Sequence, residues 1–214
     1  MIFADPLVQA VYDTYEARNA AEAERIRTTG VSGFDIRDEL LLPVGVEVGR
    51  LLHALVLAHR PKRILELGTS YGYSTLFLAD AARAVGGTVI TMEQADYKQA
   101  EARRQLTAAG LEDHVEFRLG DAVAMIEADD GAFDFVLLDI WKELYLPCFE
   151  AFYPKLSDEA IVVADNMIHP PMARPDVRAY RAAVSGKGDM QQALLPVGMG
   201  IEIAVKWPEG SDKL

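Results

Sequence analysis

Short apolar runs alternate with longer amphipathic stretches from residue 61 onward. Because two parallel strands need a crossover, and that crossover is usually a helix, this alternation predicts a parallel sheet with helices on both faces. The predicted strands are Arg63–Leu67, Thr88–Met92, Val115–Leu119, Phe133–Leu138 and Ala160–Ala164. The helices predicted between them are Ser74–Ala84, Ala95–Ala109, Ala122–Ala128 and Glu143–Tyr153. The expected fold class is therefore α/β and Rossmann-like.

The N-terminal part of the chain follows a different pattern. Residues 5–28 predict a helix that Asp5 caps and Gly30 ends, and its polar body is expected to lie on the outside. A loop containing Gly and Pro, Thr28–Pro43, then leads to a second helix with one apolar face, Val44–His59. We therefore expect a helical extension or lid over residues 1–43, before a single domain over residues 44–214.

The C-terminal part predicts a helix followed by a hairpin. The helix is Pro175–Val184, and the strands are Asp189–Leu195 and Ile201–Trp207. The five residues that join these strands, 196–200, are short and rich in Gly, which favours an antiparallel pair.

Composition and charge narrow the classes of function. The chain of 214 residues has a formal net charge of −12, so it has no general attraction for nucleic acid or anionic membranes. It contains a single cysteine, Cys148, which excludes an intrachain disulfide and a Cys-rich zinc site. The first residues lack the features of a secretion signal, and no apolar stretch is long enough to span a membrane. We therefore expect a cytoplasmic enzyme or binding domain, with nucleic acid and membranes disfavoured as partners.

A Gly-rich turn follows the first predicted strand. Gly68 and Gly72 are separated by three residues, and the acid Glu66 precedes them. This spacing is neither the dinucleotide-binding pattern nor a P-loop. An acid there would repel phosphate and could hold a cationic amino group, which indicates a nucleoside-like ligand that carries an amino acid. The alternative is a tight strand-to-helix turn with no ligand.

Acids also end the next two strands. Glu93 follows Thr88–Met92, where an acid is placed to accept both hydroxyls of a ribose. With Glu66 and the two glycines, Glu93 points to S-adenosylmethionine as the ligand. Asp121, which follows Gly120, can meet an adenine amino group or can only cap the next helix, and these two readings are equally open.

Oxygen ligands follow the fourth and fifth strands. Asp139 comes after Phe133–Leu138, and Asp165 with Asn166 comes after Ala160–Ala164. Because neighbouring parallel strands end at one edge, we expect these side chains to meet there and to suit Mg²⁺ or Ca²⁺. Lys142 lies three residues after Asp139, where partial desolvation would lower its pKa and suit it to act as a general base. Taken singly, these residues also fit a helix cap, a turn and a surface charge.

Several of these motifs together resemble the catechol O-methyltransferases. The similarity covers residues 40–207, and it is carried by Leu65–Ser74, Ile90–Glu93, Asp139–Pro147 and Asp165–Asn166. The run Asp-x-Trp-Lys-x-x-Tyr-Leu-Pro is its most specific part. The resemblance implies a seven-stranded sheet with an antiparallel last strand, and it implies methyl transfer to one hydroxyl of a catechol.

The resemblance also implies roles for individual residues. Lys142 would be the base and Glu202 would bind the second catechol hydroxyl, although Glu202 can also be read as an outward-facing strand residue. The implied metal ligands are Asp139, Asp165 and Asn166. The substrate would contact Trp141, Lys142, Asn166, Pro170 and Glu202. The expected cofactor contacts are Val44, Glu66, Gly68, Tyr71, Gly72, Ser74, Glu93, Gly120, Asp121, Ala122, Asp139, Ile140 and Trp141.

Some positions depart from the family pattern. Ile140 stands where the animal enzymes carry a histidine beside the adenine, and Pro43 replaces an asparagine. The loop from Met167 to Asp176 matches poorly, so the outer contacts of the substrate stay open.

Other functions stay open at this point. The same residues would serve a sugar, a polyketide or a modified nucleoside as methyl acceptor. A non-catalytic sensor of the cofactor is a second alternative, and a nicotinamide-dependent reductase, which the glycine spacing disfavours, is a third. The choice among Mg²⁺, Ca²⁺ and Mn²⁺ and the choice between monomer and homodimer are also open.

Overall fold

A computed structural model describes residues 1–33 and 35–208 of the chain. Residues 209–214, which the predicted domain includes, lie outside the described residues. The helices are α1 (Pro6–Thr29), α2 (Val46–His59), α3 (Tyr73–Val85), α4 (Asp96–Ala108), α5 (Ala122–Glu127), α6 (Tyr145–Phe152) and α7 (Arg174–Gly186). The strands are β1 (Arg63–Leu67), β2 (Thr88–Glu93), β3 (Val115–Leu119), β4 (Phe133–Leu138), β5 (Leu156–Ala164), β6 (Met190–Leu195) and β7 (Ile201–Lys206).

The strands form one seven-stranded sheet in the order β3-β2-β1-β4-β5-β7-β6. The first five strands pair in parallel, whereas β7 runs antiparallel to both β5 and β6. The α/β fold class, the antiparallel last strand and the final hairpin are thus confirmed. The strand order reverses between β1 and β4, and ligands of open α/β sheets bind beyond the carboxyl ends of the strands at such a point.

The predicted boundaries need few changes. Strands β1, β3 and β4 are as predicted, while β5 begins at Leu156 rather than Ala160. Helix α2 begins at Val46 because Gly45, with φ 85°, lies outside helical geometry. The stretch predicted as Glu143–Tyr153 opens with a 3₁₀ turn over Lys142–Leu144, and the α-helix itself starts at Tyr145.

Helices cover both faces of the sheet. On one face, α1–α4 bury apolar side chains against β1, β2 and β4. On the other face, α5–α7 pack against the alternate residues of the same strands. Strands β1 and β4 are almost entirely buried, as expected for the centre of a parallel sheet that is covered on both sides. No helix in the described part of the chain is long and apolar enough to cross a membrane.

The N-terminal helix α1 is only partly on the outside. Most of its residues after Tyr15 are exposed, as predicted, but Tyr12 and Tyr15 are buried, so the prediction is wrong for these two residues. Their rings pack against Tyr73 of α3. The Tyr15 hydroxyl donates a hydrogen bond of 2.6 Å to the backbone carbonyl of Tyr71, within the Gly-rich turn. The extension therefore supports the turn that the sequence assigns to the cofactor.

We predict that Tyr15→Phe destabilises the protein by about 1 kcal/mol, since it removes a buried hydrogen bond and leaves the ring packing intact. For a chain of this size, that loss corresponds to a fall in Tm of about 2–4 °C. Thermal and urea unfolding measure the change. The control is Tyr97→Phe, because the Tyr97 side chain is largely exposed and its hydroxyl makes only a 3.5 Å contact with the Asp38 carbonyl. An equal effect of both substitutions would contradict the prediction.

Candidate active site

The Gly-rich turn packs directly against the end of β4. Gly68 has φ +99°, and a Cβ there would lie 2.0 Å from the backbone oxygen of Asp139. Gly72 has φ +90°, and a Cβ there would lie 2.9 Å from the Tyr15 hydroxyl. Any side chain at Gly68 would therefore separate the turn from the segment that carries Asp139, which explains the glycine without reference to a ligand.

Glu66 lies beneath the turn and has no exposed surface. Its carboxylate accepts hydrogen bonds of 2.6 Å from the hydroxyls of Ser74, Thr75 and Thr91. Burial raises the pKa of Glu66 to about 7, although the three hydroxyls oppose the shift. Through these hydrogen bonds, Glu66 connects the end of β1 to Ser74 at the start of α3 and to Thr91 of β2. Direct contact of Glu66 with a cofactor stays a prediction, and it would require the buried carboxylate to become accessible.

Glu93 joins the end of β2 to the same turn. One carboxylate oxygen accepts a hydrogen bond from the Ser70 backbone N–H at 2.8 Å. The other oxygen accepts from the backbone N–H groups of Gln94 and Ala95 at 2.9 Å. The side chain is partly exposed, and the oxygen that accepts only from Ser70 keeps one acceptor site, so it can still bind a hydroxyl of a ribose. The structure thus places Glu93 beside the Gly-rich turn, as expected from the sequence.

Asp121 caps helix α5. Its carboxylate accepts a hydrogen bond of 2.8 Å from the Ala124 backbone N–H, which is one of the two readings that the sequence left open. Its neighbour Ala122 is buried, and the Gly120 N–H donates to the Glu93 carbonyl at 2.9 Å. These contacts place residues 120–122 beside the end of β2, and their contact with an adenine stays a prediction.

Three other expected cofactor contacts lie at the edges of this region. Val44 and Ile140 are partly buried and pack against the two hydrophobic cores. Tyr71 is buried beneath the Arg18 guanidinium, which lies 3.8 Å from its ring centroid. The Tyr71 hydroxyl donates to the Asp38 carbonyl at 3.2 Å. Tyr71 thus contacts the N-terminal segment through both its ring and its hydroxyl. Its contact with a cofactor stays a prediction.

Asp139, Lys142, Asp165 and Asn166 meet at the carboxyl ends of β4 and β5. The Lys142 Nζ lies 3.8 Å from Asp139 Oδ1. The Asn166 backbone N–H donates to Asp165 Oδ1 at 2.6 Å, and Asn166 has φ 55°. Asp165 is buried, whereas the Asp139 side chain keeps 21% of its surface exposed. The arrangement leaves a partly open edge lined by two carboxylates, one amide and one lysine.

The pKa values of the charged groups at this edge are shifted, as is common at functional sites. Burial lowers the pKa of Lys142, against the opposing influence of Asp139 and Asp165. Burial also raises the pKa of Asp165 to about 7, and the neighbouring charge of Asp139 adds to the effect. Burial raises the pKa of Asp139 as well, while Lys142 opposes it. Burial therefore disfavours the charged form of both carboxylates and of the nearby lysine.

Hydrogen bonds orient the lysine in a way that the sequence reading missed. The Lys142 Nζ donates to the Ile140 carbonyl at 3.1 Å and to the Tyr145 hydroxyl at 2.5 Å. Tyr145 is completely buried. Its position three residues after Lys142 in a predicted helix was a usable signal, since residues at that spacing lie on one helical face.

The expected substrate residues lie around the same edge. Trp141 is half-exposed, with the Arg37 guanidinium 5.4 Å from its ring centroid, and Pro170 is exposed. Glu202 pairs in register with Ala164, the last residue of β5, and it is fully buried. The reading of Glu202 as an outward-facing residue is therefore wrong.

Glu202 has a partner that the sequence did not indicate. Its Oε2 accepts a hydrogen bond from Nε of Arg181 on α7, while Oε1 is buried without a hydrogen-bond partner among the described residues. Burial raises the pKa of Glu202, and Arg181 opposes the shift. An acceptor atom thus stays free beside the end of β5.

The side chains at this edge offer carboxylate and amide oxygens as possible metal ligands. Within residues 1–33 and 35–208, no group of three or more His, Cys, Asp or Glu side chains is arranged for a metal. The set formed by Asp139, Asp165 and Asn166 has two carboxylates and one amide, so it is of a different kind. Hard oxygen donors of this kind suit Mg²⁺ or Ca²⁺ and leave coordination positions for water or substrate.

Comparisons with known proteins identify the family of the chain. A family profile described as a methyltransferase domain matches residues 65–167. The protein named "Probable O-methyltransferase Rv1703c" of Mycobacterium tuberculosis is 35% identical over 167 residues, which cover 73% of this chain and 70% of that protein. The catechol O-methyltransferase of Niastella koreensis is 33% identical over 131 residues, which cover 59% of this chain and 59% of that enzyme.

A solved structure supports the same assignment of fold. The O-methyltransferase TomG of Streptomyces achromogenes, which was crystallised with S-adenosylmethionine, gives a TM-score of 0.73 at 24% identity. The match covers 90% of this chain and 98% of TomG, so the whole architecture is shared. With the family profile and the curated relatives, it follows that this chain belongs to the S-adenosylmethionine-dependent O-methyltransferases, in the family that resembles catechol O-methyltransferase.

Proposed function

We propose that the protein transfers the methyl group of S-adenosylmethionine to one hydroxyl of an aromatic ring with two adjacent hydroxyls. The observation that carries the proposal is the group Asp139, Lys142, Asp165 and Asn166, which lies against the Gly-rich turn. The catechol activity named for relatives such as the Niastella koreensis enzyme supports this choice of acceptor. The half-exposed indole of Trp141 offers an apolar wall for such a ring.

The residues present fit a divalent cation. Asp139, Asp165 and Asn166 would hold it. Burial disfavours the charge on both carboxylates, and the neighbouring charge of Asp139 adds to the effect on Asp165. Mg²⁺ is our first choice, and Ca²⁺ or Mn²⁺ would use the same oxygen donors. A bound cation would supply Lewis-acid stabilisation of the substrate oxygens and a template for orienting them.

In the proposed reaction, Lys142 takes the proton of the attacking hydroxyl. Its burial favours the neutral amine, which is the form that can accept a proton. The unpartnered Oε1 of Glu202 would accept a hydrogen bond from the second hydroxyl. Much of the rate enhancement would come from holding the oxygen in line with the methyl group, since positioning of this kind contributes roughly 7–11 kcal/mol.

The carboxylate of Glu93 would bind the ribose of the cofactor, and the Gly68–Gly72 turn would lie along its amino-acid part. Glu93 is partly exposed and is tied to the turn through Ser70, so the two groups keep a constant separation. The methyl donor would then face the end of β4, where Asp139 touches Gly68.

We predict that Lys142→Ala lowers kcat by about 10²–10⁴-fold, which is the usual contribution of a general base. The affinity for S-adenosylhomocysteine should stay within about twofold, because the lysine acts on the acceptor. Steady-state assays with a panel of catechols and hydroxycinnamates give kcat, and calorimetry gives the affinity. Lys187→Ala is the control. Lys187 follows the end of α7 and forms a salt bridge with Glu150, and it is not among the proposed site residues. Wild-type turnover of Lys142→Ala on a good substrate would refute the base assignment.

We predict that EDTA abolishes turnover on catechols and that excess Mg²⁺ restores it, because a bound cation would supply Lewis-acid stabilisation of the acceptor oxygens. Asp165→Asn should raise the Mg²⁺ concentration that gives half-maximal activity, since it replaces a ligand that carries charge. Asp158→Asn, which changes an exposed acid on the same strand, is the matched control. Activity that chelation leaves unchanged would remove the metal from the mechanism.

We predict that S-adenosylhomocysteine stabilises the protein and that NAD does not. At a ligand concentration of 100 times Kd, binding adds about 2.7 kcal/mol to the free energy of unfolding. For a chain of this length, that gain raises Tm by at least about 5 °C. Differential scanning fluorimetry measures both ligands in parallel. Stabilisation by NAD alone would favour the reductase alternative and would contradict the proposal.

A further inference from the structure

Tyr145 lies at the centre of the hydrogen bonds that hold Lys142, and the mechanism above gives it no role. Its side chain has no exposed surface. The hydroxyl oxygen lies 2.5 Å from Lys142 Nζ and 2.9 Å from the backbone oxygens of both Leu138 and Asp165. The hydroxyl therefore joins the lysine to the last residue of β4 and to the first residue after β5.

The direction of each hydrogen bond follows from the chemistry of the groups. The carbonyl oxygens of Leu138 and Asp165 only accept, so the phenolic hydrogen of Tyr145 is directed to one of them. The phenolic oxygen then accepts from Lys142, whose nitrogen carries hydrogen in either protonation state. A neutral amine has two N–H groups and one lone pair, and its other N–H is directed to the Ile140 carbonyl at 3.1 Å.

We propose that Tyr145 is a positioning residue for Lys142. With both N–H groups of the neutral amine directed to Tyr145 and Ile140, the lone pair has one remaining direction. The proposal rests on the proposed function, since it takes Lys142 to be the base. Tyr145 thus sets the angle at which the lysine meets the acceptor hydroxyl, and it does not touch the substrate itself.

The anchoring atoms make this positioning specific to the site. Leu138 immediately precedes Asp139, and Asp165 is itself a proposed metal ligand, so Tyr145 aligns the lysine with the residues that would orient the acceptor. The Leu138 carbonyl also accepts the Asp165 N–H at 3.1 Å, which holds the two strand ends together. The ring of Tyr145 packs edge-on against Tyr180, with the centroids 5.7 Å apart.

The test compares two substitutions that each remove one buried phenolic oxygen. Tyr145→Phe should lower kcat by about 10- to 100-fold, because small misplacements of a reacting group cost up to that much. The KM for the acceptor and the Kd for S-adenosylhomocysteine should stay within about twofold, since neither ligand contacts Tyr145. Tyr180→Phe is the matched control, because its hydroxyl is buried without a hydrogen-bond partner among the described residues. We expect its kcat to stay near that of the wild type.

A double-mutant cycle separates positioning from a general structural effect. In the Lys142→Ala background, Tyr145→Phe should change the residual single-turnover rate by less than about twofold, because its effect passes through the lysine. An equal loss with and without the lysine would overturn the inference, and so would a wild-type kcat for Tyr145→Phe. If Lys142→Ala itself keeps full activity, the base assignment fails instead.

A further variant covers failure of Tyr145→Phe to fold. Replacement of Tyr145 by 3-fluorotyrosine keeps the ring and the hydroxyl but weakens the oxygen as an acceptor. A kcat several-fold below that of the wild type, with unchanged KM, supports the inference. An unchanged kcat overturns it.

Discussion

The contact between Gly68 and the backbone of Asp139 is the constraint on which the site depends. Because a Cβ at Gly68 would lie 2.0 Å from the Asp139 oxygen, the Gly-rich turn and the end of β4 can meet only if this residue is a glycine. Two backbone hydrogen bonds join the neighbouring strand ends. The Asp139 N–H donates to the Leu67 carbonyl at 3.0 Å, and the Asp165 N–H donates to the Leu138 carbonyl at 3.1 Å. The ends of β1, β4 and β5 therefore form one rigid edge, with the proposed cofactor turn at one side and the proposed acceptor residues at the other.

Placing charges at this edge has an electrostatic cost that the fold offsets only in part. Asp139, Asp165 and Lys142 are drawn close together, and burial disfavours the charged form of each. Such groups are more stable when paired or neutral, so they exchange protons or bind cations readily. By contrast, Asp129 is paired with two arginines, which lower its pKa. Three groups whose charge burial disfavours thus lie together at the edge where the reaction is proposed.

Much of this arrangement could be predicted from the sequence because it follows from local patterns. Apolar runs set the strands, and parallel strands bring their carboxyl ends to one edge, which placed Glu93, Asp139 and Asp165 together in advance. The partners of individual side chains could not be predicted in the same way. Glu202 meets Arg181 from another element. Tyr15 meets the Tyr71 carbonyl, 56 positions away. Such contacts depend on how the helices pack against the rest of the chain, and hydrophobic periodicity does not determine that packing.

The central claim is that the methyl donor and the acceptor oxygen meet at this edge, beside Lys142. A crystal structure of the protein with S-adenosylhomocysteine, Mg²⁺ and a catechol tests it most directly. We expect one catechol oxygen to lie within about 2.6–3.2 Å of Lys142 Nζ, the distance at which a base takes a proton. The same oxygen should face the cofactor sulfur across a gap wide enough for one methyl group. A cofactor bound away from the Gly68–Gly72 turn, or a catechol whose oxygens lie far from Lys142, would contradict it.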